Sequence, residues 1–325
     1  MRRFLKRLIL FAAIPTVIAV VWTAFVVVME YRSYVGALTL AEGETMVVCG
    51  DSQTKDALDP AIIPGLRNFS TAATTCDQDA MRLKDVLAAN PGKVRRVLID
   101  VSPLKIGYDI SRPVSELNAA RVHTFIHFYH FKENRRPLGS VLSLWRDVVF
   151  KRKFNEFRKS ILRGRRWKSS LVGGFDPSTG VGFVSRKLRK MARSDATDKA
   201  ARVNSRPPAT SDLPLLDILE EQVKLVRAAG AEPIITTMPL SGPLREAIDP
   251  ARRAAFTREV EALARRLGVV YLNYLELDLP IECWHDGNHL NRDGAEVFSK
   301  RFLRGWDFIL LRIGIAFMPR CGTLQ

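Results

Sequence analysis

The chain has 325 residues, room for one large domain or two small ones, and 47% of them are apolar, enough for a substantial core. Its net charge of +16 is concentrated in one place. Residues 151 to 206 carry 17 Lys/Arg against Glu156, Asp176, Asp195 and Asp198, a net of +13, which excludes a generally polycationic chain.

Leu8 to Met29 is an uncharged run of 22 residues, long enough to cross a bilayer as a helix. Arg2, Arg3, Lys6 and Arg7 precede it. Positive flanks stay on the cytoplasmic side, so the remainder is expected outside, as a single-pass periplasmic domain. A cleavable signal peptide is the alternative. Its apolar core is normally shorter, and no small-x-small site follows Met29. Residues 1–30 therefore read as a membrane anchor and 31–325 as the outer domain.

The outer domain alternates strands and helices. Thr45–Cys49 reads as a buried strand, and Asp77–Ala89 as a helix ending at Asn90-Pro91-Gly92. Lys93–Val101 is a second strand. Leu213–Ala229 is a helix, capped by Ser211 or Asp212 and stopped by Gly230. Pro233–Met238 is a strand, Pro250–Leu267 a helix, Val269–Asn273 a strand, and Arg292–Leu303 opens the last helix. Such alternation predicts an α/β fold, a three-layer parallel sheet covered on both faces. Ligands of such sheets bind beyond the carboxyl ends of the strands, where Ser52, Ser102 and Met238 fall.

Residues 111–211 break the alternation and read as a basic helical insertion. A helix is expected from Asn118, with His123, His127 and His130 at helical spacing. These histidines suit an aromatic packing face better than a metal site, since only Glu133 joins them. A second helix is expected over Val141–Leu162. Leu144, Trp145, Val148, Val149, Phe154, Phe157 and Ile161 recur there among Arg152, Lys153, Arg158 and Lys159. A basic amphipathic helix of this kind suits an anionic inner-membrane lipid surface. Anionic glycan, a solvated basic face, or a partly disordered stretch around Arg193–Pro208 are the other readings. Nucleic acid conflicts with an extracytoplasmic domain. The glycines Gly173, Gly174, Gly180 and Gly182 lack phosphate-loop spacing and read as a flexible loop or lid.

Two short blocks carry chemistry. The first strand stops abruptly at Gly50-Asp51-Ser52, and Asp286-Gly287-Asn288-His289-Leu290-Asn291 precedes the last helix. Together they hold a hydroxyl, an imidazole and a carboxylate, the groups that make serine a nucleophile at neutral pH. Asp286 and His289, three apart, share a face if that stretch makes a helical turn. His285 is a rival base, but its side chain should point away from that of its neighbour Asp286.

These blocks resemble the SGNH/GDSL hydrolase superfamily, which opens with Gly-Asp-Ser after its first strand and closes with Asp-x-x-His before its last helix. The resemblance spans residues 45 to 304 and implies a flavodoxin-like SGNH hydrolase fold, with Ser52 as nucleophile, His289 as base and Asp286 orienting it. It also implies an oxyanion hole. There the sequence departs from the family: the second block reads Asn68-Phe69-Ser70-Thr71-Ala72-Ala73-Thr74 without a glycine, and Asp100-Val101-Ser102-Pro103 replaces the third block's Gly-x-Asn-Asp. Backbone N–H groups of Ala72 or Ala73, helped by Ser102, are the expected substitutes. A good triad beside an altered hole is more similar to the membrane-anchored branch that includes the alginate O-acetylation and teichoic-acid D-alanylation proteins. That branch implies a serine esterase or O-acyltransferase acting on acyl esters of cell-surface glycan, working with an acyl donor and a multi-span membrane acyltransferase. The alternative is a catalytically impaired, membrane-tethered binding or assembly subunit.

No cofactor is implied, and no CxxC or Cys/His spacing suggests zinc. Cys49, Cys76, Cys283 and Cys321 could pair in an oxidising compartment. A Cys76–Cys283 bridge would tie two site loops together; Cys49 reads equally well as a buried strand thiol.

Overall fold

The computed structural model describes residues 2–72, 74–105, 149, 153–163, 173–177, 186–205 and 214–312. Five parallel strands form the sheet: β1 (Met46–Cys49), β2 (Leu66–Asn68), β3 (Arg96–Asp100), β4 (Glu232–Thr237) and β5 (Val270–Asn273), in the order β2-β1-β3-β4-β5. Register is continuous across the centre, with Val47 opposite Val97 and Val97 opposite Pro233. This is the expected parallel α/β sheet, in the flavodoxin-like order, and the chain reverses direction of winding between β1 and β3. In sheets of this kind the ligand crevice lies at that point, here above the ends that lead to Ser52 and Ser102.

Strand side chains alternate between two cores, as a period of two requires. Val47, Cys49, Val97, Ile99 and Ile235 face one core. Helices α3 (Cys76–Ala89), α6 (Pro214–Ala228) and α8 (Pro250–Leu267) fill it with Leu83, Val223 and Phe256 among others. Met46, Val48, Leu98, Ile234 and Leu272 face the second core. Helices α2 (Ser52–Ala57) and α9 (Arg292–Arg312) cover that face with Ala57, Phe298 and Phe302.

Helix α1 (Arg2–Ala37) is apolar and long enough to cross a membrane over Phe11–Ala37, with a mean hydropathy of 2.4 and little of it buried. Its far end belongs to the domain. Tyr34 and Leu38 are fully buried, the Tyr34 hydroxyl donates to Asp85 Oδ2 (2.7 Å), and Asn90 Nδ2 donates to Leu38 O (2.8 Å).

Within the insertion, α4 (Phe154–Arg163) coincides with the end of the expected Val141–Leu162 helix. Helix α5 (Arg186–Asn204) runs into the Arg193–Pro208 stretch, where partial disorder is one of the alternative readings of the sequence. Its buried side is made of small residues, Ala196, Ala200 and Val203, which leave no bulky apolar stripe in the sequence. A short helix α7 (Gly242–Ala247) receives it, and Asn204 Nδ2 donates to Ala247 O (3.0 Å). The expected helix from Asn118 with its three histidines, Ser211, Asp212, Gly180, Gly182, Cys321 and residues beyond 312 lie outside the described residues.

The Cys76–Cys283 bridge does not form. Cys49, Cys76 and Cys283 are free buried thiols. Cys76 belongs to the core under α3 and Cys283 to the core under α9, so the sheet stands between them.

Candidate active site

Ser52 is placed by the sharp exit from β1. A Cβ on Gly50 would sit 2.8 Å from Asp100 Cβ, so only glycine lets β1 turn this close to the end of β3. Asp51 then caps α2, its Oδ1 accepting from Gln53 N (2.8 Å). Ser52 is the first residue of α2. Its backbone N–H therefore has no partner within the helix and points from the helix start.

His289 and Asp286 are placed by a clamped loop between β5 and α9. The expected helical turn is absent here: residues 285–288 are a bend. Their closeness comes from Asp286 itself, whose Oδ1 accepts from the backbone N–H of Asn288 (2.9 Å) and of His289 (2.9 Å). Below the bend, Trp284 is fully buried and bridges Leu290 across the loop. Asn291 Nδ2 donates to Glu282 O (2.6 Å) while its Oδ1 accepts from Gly294 N (2.8 Å). A Cβ on Gly294 would lie 2.0 Å from Cys283 O, so this contact also needs glycine.

The two loops meet. Ser52 Oγ lies 2.7 Å from His289 Nε2, and His289 Nδ1 lies 2.7 Å from Asp286 Oδ2. All three side chains are half-buried. With Nδ1–H donated to Asp286, Nε2 is left to accept the Ser52 proton. Burial pushes the Asp286 carboxyl up, but the hydrogen bond and charge of His289, then Lys199, more than offset it and hold it well below the usual carboxylate range. His285 is exposed on the same bend and only its backbone bonds to His289 O (2.8 Å).

The remaining expected residues are more dispersed. Ala72 is exposed in the turn after β2; Ala73 lies outside the described residues. Ser102 is buried at the end of β3, and its hydroxyl donates to Gln53 Oε1 (2.6 Å). Asn68 holds the second block against α2, its Nδ2 donating to Thr54 O (3.1 Å) and Leu58 O (3.0 Å). The 173–177 segment reaches this rim: Gly174 N donates to Ser70 O (3.1 Å) and Lys55 Nζ to Asp176 O (2.7 Å).

Two sets of site residues were missed by sequence reasoning. Lys199, on α5, lies 3.2 Å from Asp286 Oδ1 and 2.8 Å from Asp195 Oδ2, and also bonds Asn288. Asp195 in turn accepts from Gly287 N (3.0 Å), and Ser241 Oγ donates to Gly287 O (2.7 Å). The second set lies beneath Ser52. Lys105 Nζ is buried 2.6 Å from Asp100, 3.0 Å from Asp79 and 3.7 Å from the capping Asp51, with Arg82 closing the group on Asp79 at 3.2 Å. Burial alone would push Lys105 down. Asp100, Asp51 and Asp79 more than offset it, so the ammonium stays charged well above its usual range. Among the described residues, no three His, Cys, Asp or Glu side chains gather to hold a metal ion.

No family model matches the chain, and no curated protein matches it. Among solved structures it is similar to a candidate acylhydrolase from Bacteroides fragilis, at 12% identity over 86% of this chain and 96% of that one, with a TM-score of 0.40. It is also similar to a GDSL-like lipase from Bacteroides thetaiotaomicron, at 11% identity over 86% and 97% of the two chains, again with a TM-score of 0.40.

Proposed function

We propose that this chain is a serine hydrolase or acyltransferase that acts on acyl esters through Ser52, His289 and Asp286. One observation carries the reading: an unbroken hydrogen-bonded relay from Ser52 Oγ through both ring nitrogens to Asp286. In this mechanism His289 Nε2 takes the Ser52 proton as Oγ attacks the ester carbonyl. Asp286 stabilises the imidazolium. The oxyanion forms against the Ser52 N–H, with the Ala72 and Ala73 backbone as further donors. Collapse releases the alcohol, which takes the proton from His289. Water or a sugar hydroxyl then attacks the acyl-enzyme by the same steps in reverse. Ser102 contributes to the hole only by leaving Gln53.

The finer reading is a membrane-anchored enzyme outside the cytoplasm, acting on acylated cell-surface glycan beside a multi-span acyltransferase. It is supported by α1, by the basic residues before it, and by the resemblance of the two blocks to the anchored branch. The impaired binding subunit is the second reading. It is favoured by the engagement of Ser102 and Asn68 within the fold, which leaves the oxyanion to backbone donors.

Hydrolysis of p-nitrophenyl acetate by the detergent-solubilised full chain tests the proposal. Turnover lost in Ser52→Ala supports it. Equal rates for wild type and Ser52→Ala would favour the binding subunit.

A further inference from the structure

We propose that helix α4 is an interfacial brace: it lies in the outer headgroup layer of an anionic phospholipid bilayer and fixes the height of the domain on α1. The proposal rests on the anchored reading of α1 and adds a second lipid contact to it.

Height along α1 is set by geometry. At 1.5 Å per residue, Trp22 lies about 21 Å and Glu30 about 33 Å beyond Leu8, where the uncharged run begins. A hydrocarbon core is about 30 Å thick. The stretch from Trp22 to Glu30 thus straddles the outer boundary, and α4 docks on that stretch. Trp22 packs edge-on against Phe154 (5.5 Å between ring centroids) and Phe157 (5.2 Å), and Phe25 packs on Phe157 (5.6 Å). The Trp22 indole N–H donates to Val149 O (3.1 Å). Tryptophan at this depth, with one polar bond and an apolar ring, suits the interface.

The joint is locked by charge. Glu30 and Lys153 are both 0% exposed and lie 2.7 Å apart, and Lys153 also bonds Glu156 (2.9 Å). A carboxylate buried at the end of an apolar helix demands a cation, and Lys153 is the residue before α4. The pair therefore holds the start of α4 at one height on α1.

What α4 leaves uncovered fits lipid. Phe154 is 53% and Leu162 76% exposed. They stand on one face with Arg158 between them, at i, i+4 and i+8, and exposed Lys159 follows. Apolar side chains beside long cations match the acyl–headgroup boundary, where the stems lie among chains and the charges meet phosphate. Within the straddling stretch Val26, and beyond it Tyr34, are buried against protein; below it, Phe11, Ile14, Val17 and Ile18 are exposed. The exposed face of α4 continues the exposed part of α1.

The test uses the full chain, with Cys321→Ser, reconstituted in nanodiscs of phosphatidylcholine alone or with about 30% phosphatidylglycerol, a typical anionic mixture. A nitroxide is placed in turn at Leu162→Cys, at Val17→Cys in α1 and at Lys224→Cys on the outer domain. Accessibility to oxygen and to a water-soluble nickel complex is read by electron paramagnetic resonance. The expected result is that the Leu162 label loses nickel contact as the Val17 label does, while the Lys224 label keeps it. Arg158→Glu with Lys159→Glu should restore nickel contact at Leu162 in the anionic discs. Leu162 reading like Lys224 while Val17 reads as lipid would overturn the brace and leave the anchor intact. Val17 reading as water would overturn both. Equal shielding in the two disc types, unmoved by the double charge reversal, would overturn the role of anionic lipid. Since the discs contain only this chain, shielding there cannot come from a protein partner.

Discussion

At the scale of single residues, the site depends on how one carboxylate is held. Asp286 accepts two backbone N–H groups, the imidazole and Lys199. Asp286→Asn keeps the shape but favours the wrong tautomer of His289, and should lower ester turnover on the order of 10⁴-fold. The same residue sets a pH dependence. Its folded pKa is depressed, so its contribution to stability is complete above the ordinary carboxylate value of about 3.9 and is lost as pH falls below it. Thermal midpoints between about pH 5 and pH 2 should therefore fall less steeply in Asp286→Asn than in the wild type. Lys199→Met should make the wild-type loss smaller and complete it at higher pH, because losing a cation that holds Asp286 ionised brings its folded value closer to the unfolded one. A variant as steep as wild type in both cases would contradict the assignment. The cysteines give a simpler check. Burial pushes the Cys49 and Cys76 thiols up to about 12, so neither should be alkylated by iodoacetamide at neutral pH in the folded chain, and both should be in denaturant.

At the scale of elements, legibility followed the strength of local punctuation. Pro250 in the first turn and Gly268 just past the end gave α8 its observed limits. The four strands flanked by turns were read to within a few residues. β2 was missed because Leu66–Asn68 is three residues long and pairs along one side only. α5 was missed because it buries alanines, and Lys199 and Asp195 were missed with it. The proximity of Ser52 to His289 was inferred from residue types, but the clamp that produces it was not visible. It is built from backbone acceptors and from contacts such as Gly294 against Cys283 O. Gly294→Ala should displace that loop and cost roughly 3 kcal/mol, as overpacking of a closed contact does. Lys105→Met should cost about 3–5 kcal/mol, since it leaves Asp100 and Asp79 buried without their cation. Chemical denaturation of both variants measures this; a midpoint unchanged in Lys105→Met would mean that the charge cluster does not support the Ser52 turn.

For the whole molecule, one long helix links an exposed apolar stretch to a domain whose site opens at the switch between β1 and β3. The basicity is confined to the insertion, and the insertion touches both ends of this arrangement: α4 at α1, and α5 at Asp286. Sequence gave the alternation that builds the sheet, because buried parallel strands are apolar runs with clear ends. It did not give the position of the insertion, because those contacts join residues far apart in the chain, such as Glu30 and Lys153 or Asp286 and Lys199. The whole arrangement has its chemical meaning in Ser52 as an activated nucleophile. Its most direct test is to treat the solubilised full chain with a fluorophosphonate probe and locate the adduct by peptide mass. The expected result is modification at Ser52 that disappears in His289→Ala. A folded chain that takes up no probe at Ser52, or takes it up equally without His289, would contradict it.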